Sequence, residues 1–79
     1  MAVGAYILIQ TCLGQAAAVA AEVGGLPAVS SADTIAGPYD VIARATTETV
    51  EELGRVVVTR IQMVEGITRT LTCPMVSEH

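Results

Sequence analysis

Few side chains in this chain of 79 residues have the chemistry for catalysis or ligation, and they are widely scattered. Tyr39 and Asp40 lie together in AGPYDVIARAT, residues 36–46, where a Gly-Pro turn passes into an alternating run. A phenol and a carboxylate at such a point either close a hairpin or lend polar atoms to a site. Arg44 follows Asp40 on the same side of a strand, with Ile42 between them, which permits a same-face ion pair. Cys12 and Cys73 have no CxxC spacing, and the single histidine, His79, is the last residue. Nucleophilic catalysis needs Ser, Cys or Thr beside a base that a third group orients. A metal needs three or four convergent ligands. The sequence offers neither, and it has no GxGxxG or P-loop phosphate cradle. Glu48, Glu51 and Glu52 crowd one segment, where a helix start explains them better than acid–base chemistry. No catalytic residue, metal or cofactor is therefore expected.

The elements that position these residues follow from periodicity. VGAYILIQT, residues 3–11, alternates as a strand, with Val3, Ala5, Ile7 and Ile9 on one face and Tyr6 and Leu8 on the other. GQAAAVAAEVGGL is alanine-rich and places Val19, Val23 and Leu26 at helical spacing. Gly24, Gly25 and Pro27 stop that helix. AVSSADTIA and YDVIARATT read as two strands of a hairpin around the Gly37-Pro38 turn. Thr49 and Glu52 fit a capping box opening a second helix, with Val50, Leu53, Val57, Ile61 and Val64 as its inward stripe. ITRTLTCPMV alternates again, with Ile67, Arg69, Leu71, Cys73 and Met75 opposite Thr68, Thr70 and Thr72. Both cysteines are expected as small residues near the helix-packed layer, and the SEH tail as loose.

Composition narrows the classes of function. The chain is 52% hydrophobic, yet its aromatic residues are only Tyr6 and Tyr39. Four arginines, no lysine and eight acidic residues leave a net charge of −4. That balance disfavours a nucleic-acid surface, which must neutralise phosphates, and is equally poor for an anionic membrane. The apolar N-terminal segment lacks a basic leader region and is interrupted by Gln10, Thr11, Gln15 and Glu22, so neither a signal peptide nor a membrane span is expected. A cytoplasmic protein with reduced thiols is the reading.

The order β-α-β-β-α-β, residues 1–79 as one domain, is an α+β fold. Right-handed crossovers place both helices on one face of a four-stranded antiparallel sheet, the ferredoxin-like arrangement. The opposite face carries apolar and threonine side chains with nothing in the chain to cover them. A domain this small buries only about 60–65% of its unfolded surface, so oligomerisation is the expected stabiliser. Burying ~500 Å² of apolar surface per subunit would stabilise by roughly 12 kcal/mol before association costs. At least an obligate dimer is expected.

GPYDVIARA and then LGRVVVTRIQMVEGITRTLTCPMV resemble the effector-binding domain of the Lrp/AsnC family of amino-acid-responsive regulators. The family pattern is a Gly-x-Tyr/Phe-Asp turn, a strand, a helix ending in IPG(V/I), and a T-x-T strand. This sequence has VEGI at the third point, keeping Gly66 without the proline. The resemblance extends over essentially the whole chain. It implies a dimeric α/β barrel built by packing sheets face to face, with dimers assembling into octameric, decameric or similar rings. It also implies effectors, usually amino acids, bound in clefts between dimers. The matched positions are Gly37, Tyr39 and Asp40 of the turn, Gln62 at the end of the second helix, and Thr70 in the last strand. In that role Gly37 admits close backbone approach, Tyr39 offers a flat wall, Asp40 accepts from an α-amino group, and Gln62 and Thr70 bond polar ligand atoms. Met1 leads straight into the first strand, so the stand-alone form is expected, without the helix-turn-helix domain and without direct DNA binding.

The sequence thus points to a non-enzymatic, oligomeric sensor of an amino acid or similar small metabolite, which modulates full-length Lrp/AsnC regulators by co-assembly. Two alternatives stay open. The dimeric α/β barrel also hosts small cofactor-independent enzymes, for which Asp40 and Arg44 are the only candidates. A ligand-free architectural or partner-docking subunit is the other.

Overall fold

The computed structural model of the chain describes residues 2–75, the side chain of Val58 excepted. The expectations for the SEH tail, including His79, lie outside the described residues. Four strands, β1 (Val3–Thr11), β2 (Val29–Thr34), β3 (Val41–Thr47) and β4 (Ile67–Pro74), form one sheet in the order β2-β3-β1-β4. All neighbouring pairs are antiparallel. With α1 (Ala16–Gly24) and α2 (Val50–Arg55) in the crossovers, this is the ferredoxin-like α+β arrangement expected from the sequence.

One face of the sheet is the core. Ala5, Ile7 and Ile9 of β1 and Val41, Ala43 and Ala45 of β3 are fully buried beneath Val19 and Val23 of α1 and Leu53, Val57 and Ile61 of the second helical segment. The small alanines let the helices approach the sheet closely, and α1 lies chiefly over β2 and β3. Neither helix rests substantially on β4. The helix-side positions of that strand are accordingly Thr70 and Thr72, paired with Ile9 and Ile7.

The second helical segment differs from a uniform α-helix. After α2 it widens into a π-helical turn, Val56–Arg60, and tightens into a 3-10 turn, Ile61–Met63. Ile61 N–H donates to the carbonyls of both Val56 and Val57. The cause is in the spacing of the buried residues. Positions 53, 57 and 61 recur every four residues, which drifts by about 40° per step around a helix of ~3.6 residues per turn. A π turn, bonded i to i+5, removes that drift and keeps Val57 and Ile61 facing the sheet. The first residue of the expected stripe falls outside it: Val50 is 64% exposed.

The helix start is capped much as the sequence predicts. Glu52 N–H donates to Thr49 Oγ1 at 3.0 Å, and the Glu52 carboxylate accepts from Glu48 N–H at 3.0 Å, one residue earlier than in a standard box. Thr47, the one buried polar residue among those described, donates to Thr49 O at 2.8 Å.

The cysteines depart from expectation: both are free and exposed. Cys12 lies just past the end of β1. Cys73 pairs with Tyr6, so the apolar side of β4 belongs to the open face of the sheet and not to the helix side.

Gly66 locks the entry to β4 against α1. Its φ is +97°, and an added Cβ would lie 3.2 Å from both Gln15 Cβ and Val19 Cγ2. Its carbonyl accepts from Cys12 N–H at 2.8 Å. Gly66→Ala is expected to destabilise the fold by roughly 1–3 kcal/mol, through both the left-handed backbone and the contact. Thermal unfolding checks this, and an unchanged midpoint would show that the junction relaxes freely.

Candidate functional site

The five residues singled out by the sequence gather at one end of the sheet, around the C-terminal end of β1, but not in a single hollow. Gly37, Tyr39 and Asp40 lie on the β2–β3 turn to one side of that end. Gln62 and Thr70 lie to the other side. They line a shallow depression of about 240 Å³ together with Ile67, Thr68 and Arg69.

The turn is held by its backbone and by Asp40. Ile35 N–H donates to Asp40 O, and Asp40 N–H to Ile9 O, both at 2.9 Å. One carboxylate oxygen of Asp40, Oδ2, accepts from Thr11 N–H at 2.8 Å and from Thr11 Oγ1 at 3.3 Å. The Thr11 amide is available because the β1–β4 register shifts between Gln10 and Thr11. A strand normally spends its amides on its neighbours; at this irregularity a side chain serves instead. Gly37, with φ at +143° and open space around its Cβ position, lets the turn reverse beside Pro38.

Two residues that sequence reasoning passed over connect the halves. Gln10 donates from Nε2 to Pro38 O at 3.0 Å, and its own carbonyl accepts from Thr68 Oγ1 at 3.2 Å. Thr11 holds Asp40 on one side and pairs with Ile67 on the other. A glutamine ending an otherwise apolar strand was the available signal.

Asp40 and Arg44 do not form the ion pair that their spacing allowed. Asp40 turns to Thr11, while the guanidinium of Arg44 lies over the Tyr6 ring, 5.7 Å from its centroid. Tyr6 and Arg44 are directly opposite in the β1–β3 register, so the stacking follows from pairing. This pair sits on the open face with Leu8, Ile42, Leu71 and Cys73. Tyr6 and Leu71 are 39% and 46% exposed there.

A larger hollow, about 500 Å³, lies in the helical layer between α1 and the end of the second helical segment. Glu22, Leu26, Arg60, Met63 and Glu65 line it, and none of the five sequence-selected residues does. Among the described residues no cluster of three or more His, Cys, Asp or Glu could hold a metal ion. No helix among them is long and apolar enough to cross a membrane.

Comparison with known proteins agrees with this fold. The Lrp/AsnC ligand binding domain profile matches residues 4–79. TTHA0845 from Thermus thermophilus is 31% identical and superimposes with a TM-score of 0.90, over 98% of this chain and 96% of its own. The hypothetical protein PHS023 from Pyrococcus horikoshii is 30% identical with a TM-score of 0.87, over 98% and 93%. Full regulators share the fold at lower identity. The transcriptional regulator NMB0573 of Neisseria meningitidis, solved as its L-Met complex, is 19% identical with a TM-score of 0.83, over 96% of this chain and 51% of that one. No curated protein matches the chain significantly. A family match over nearly every residue, with β-α-β-β-α-β order throughout, places this chain in the Lrp/AsnC ligand-binding domain family.

Proposed function

We propose that the chain is a non-enzymatic, oligomeric sensor that binds an amino acid or similar small metabolite between dimers. The observation that carries this is the depression formed by Gln62 and Thr70, across the end of β1 from the Asp40 turn. Within that reading Gln62 and Thr70 supply hydrogen bonds to the ligand. Gly37 and Tyr39 present the turn as a wall, and Asp40 holds that wall in place through Thr11. Asp40 and Arg44, the candidates for the barrel-enzyme alternative, are engaged separately, by Thr11 and by the Tyr6 ring.

Assembly is part of the proposal. The open face carries Tyr6, Leu8, Ile42 and Leu71, and a second copy packed face to face covers it. Dimers then build a ring of the octameric or decameric kind, leaving the sheet ends at the junctions. The L-Met complex of the meningococcal regulator supports an amino acid as the ligand class. Co-assembly with full-length family regulators provides the route to transcriptional control.

Native mass spectrometry with a pool of the twenty amino acids is expected to show a ring of dimers gaining one small adduct per cleft. Adding a full-length family regulator should give mixed oligomers; a ring without adducts overturns the sensing role. Leu71→Arg, which places a charge opposite Leu8, should weaken the dimer by at least about 100-fold, since a buried unpaired charge costs ~3 kcal/mol. Analytical ultracentrifugation reads this, and an unchanged dimer would assign the interface elsewhere. Asp40→Ala should cost about 1–2 kcal/mol of stability by releasing the Thr11 amide and hydroxyl. Asp40→Asn, which keeps an acceptor, should recover part of the loss; equal losses in urea unfolding would deny Asp40 its hold on the turn.

A further inference from the structure

Resting on the proposed face-to-face dimer, we propose that Asp33 of each copy pairs with Arg69 of the other, one ion pair at each of two seams where β2 of one sheet meets β4 of the second.

The two charges stand on opposite rims of the open face. The strand order β2-β3-β1-β4 leaves β2 and β4 as the edges of the sheet. Asp33 is level with Ile42, Ile42 with Leu8, and Leu8 with Leu71, so Asp33 belongs to the open face and ends its apolar row. Arg69 is level with Gln10, one same-face step of about 6.8 Å along β4 from Leu71. Both residues are exposed in the single copy. One rim of this face therefore carries an acid and the other a guanidinium, with Tyr6, Leu8, Ile42 and Leu71 between them. Arg44, on the strand next to Asp33, is directed away from it, its guanidinium lying over Tyr6 on β1.

Symmetry then decides which rims meet. Two copies of a four-stranded sheet related by a two-fold axis can close their edges in two ways. With the axis across the strands, β2 meets β2 and β4 meets β4, which puts two carboxylates at one seam and two guanidinium groups at the other. With the axis along the barrel, β2 meets β4 at both seams, and each seam holds one charge of each sign. Like charges facing each other across an interface are strongly disfavoured, and an enclosed charge without a partner is costlier still. The charge pattern selects the second closure. The flexible stem of Arg69 spans the one-step offset, and its fork of N–H groups fits the two oxygens of Asp33. The same closure gives both open edges, Val29–Thr34 and Ile67–Pro74, a neighbouring strand.

Sedimentation velocity over a dilution series, in added urea where the wild-type dimer does not dissociate, tests this. Asp33→Arg and Arg69→Asp are each expected to raise the dimer dissociation constant at least about tenfold, because each makes both seams like-charged. The double variant Asp33→Arg/Arg69→Asp restores an opposite pair at each seam and should return to within about threefold of wild type. Asp33→Asn and Arg69→Gln remove the charges with little change of volume. Each should weaken the dimer about threefold or more, and the two together about as much as either alone. They keep the result readable where a reversal does not fold, which circular dichroism checks. Single substitutions that leave the constant unchanged overturn the pair, and so do reversals that the double variant fails to rescue. In both cases Leu71→Arg still reports on the face-to-face dimer itself. A wild-type protein that is monomeric at every concentration removes the dimer and the pair together.

Discussion

Two helices cannot cover both faces of a four-stranded sheet, and that constraint shapes the rest of the molecule. The covered face is built from side chains small enough to bring helix and sheet together: Ala5, Ala43 and Ala45 between Ile7, Ile9 and Val41. The other face carries Tyr6, Leu8, Ile42 and Leu71, too apolar for a permanently wet surface yet bearing Arg44 in its midst. The guanidinium is accommodated by stacking on Tyr6, which lets a charge sit there without an acid partner. In the proposed dimer both rings are enclosed. The chain then has a core on each side of its sheet, which offsets the poor surface-to-volume ratio of a domain this small.

Covering both faces leaves the ends of the sheet as the places where polar atoms can work. At one such end the β1–β4 register slips between Gln10 and Thr11, freeing a backbone amide that a regular ladder would have used. Asp40 takes that amide, and Gln10 reaches from β1 to Pro38 while accepting from Thr68. Two adjacent residues thereby fix the β2–β3 turn and the start of β4 relative to each other. The elements that carry the candidate site are rigid for this local reason.

Much of this was legible in the sequence because it depends on periodicity. Alternation in VGAYILIQT separates the two faces of β1 with no tertiary information, and Thr49 with Glu52 marks the helix start. What was not legible depends on neighbours. Leu53, Val57 and Ile61 announce a buried stripe, but a spacing of four says nothing about whether the backbone or the stripe will yield; here the backbone yields into a π turn. Alternation states which residues share a face, not which face the helices choose, so the open-face position of Cys73 is set only by its pairing with Tyr6. Asp40 and Arg44 have the spacing of an ion pair, yet Thr11 and Tyr6, distant in sequence, claim them first. The resemblance carried by residue types and spacing identifies the family; the bonding partners of the candidate residues depend on the fold.

The size of a hollow is a poor guide to function in a chain that works as one part of an assembly. A depression of about 500 Å³ lies in the helical layer, away from the residues matched to the family. The one holding Gln62 and Thr70 is about 240 Å³ and open, below the ~300–1,000 Å³ of pockets that enclose most of a small ligand. On the proposed reading that shortfall is functional. A neighbouring dimer must close the depression before a ligand is enclosed, so part of the binding surface exists only in the assembly. Affinity and oligomerisation are then linked: whatever the closed site gains from the ligand, the junction between dimers gains equally. A sensor built this way needs no internal conformational switch, because the quantity it changes on binding is the stability of its own contacts.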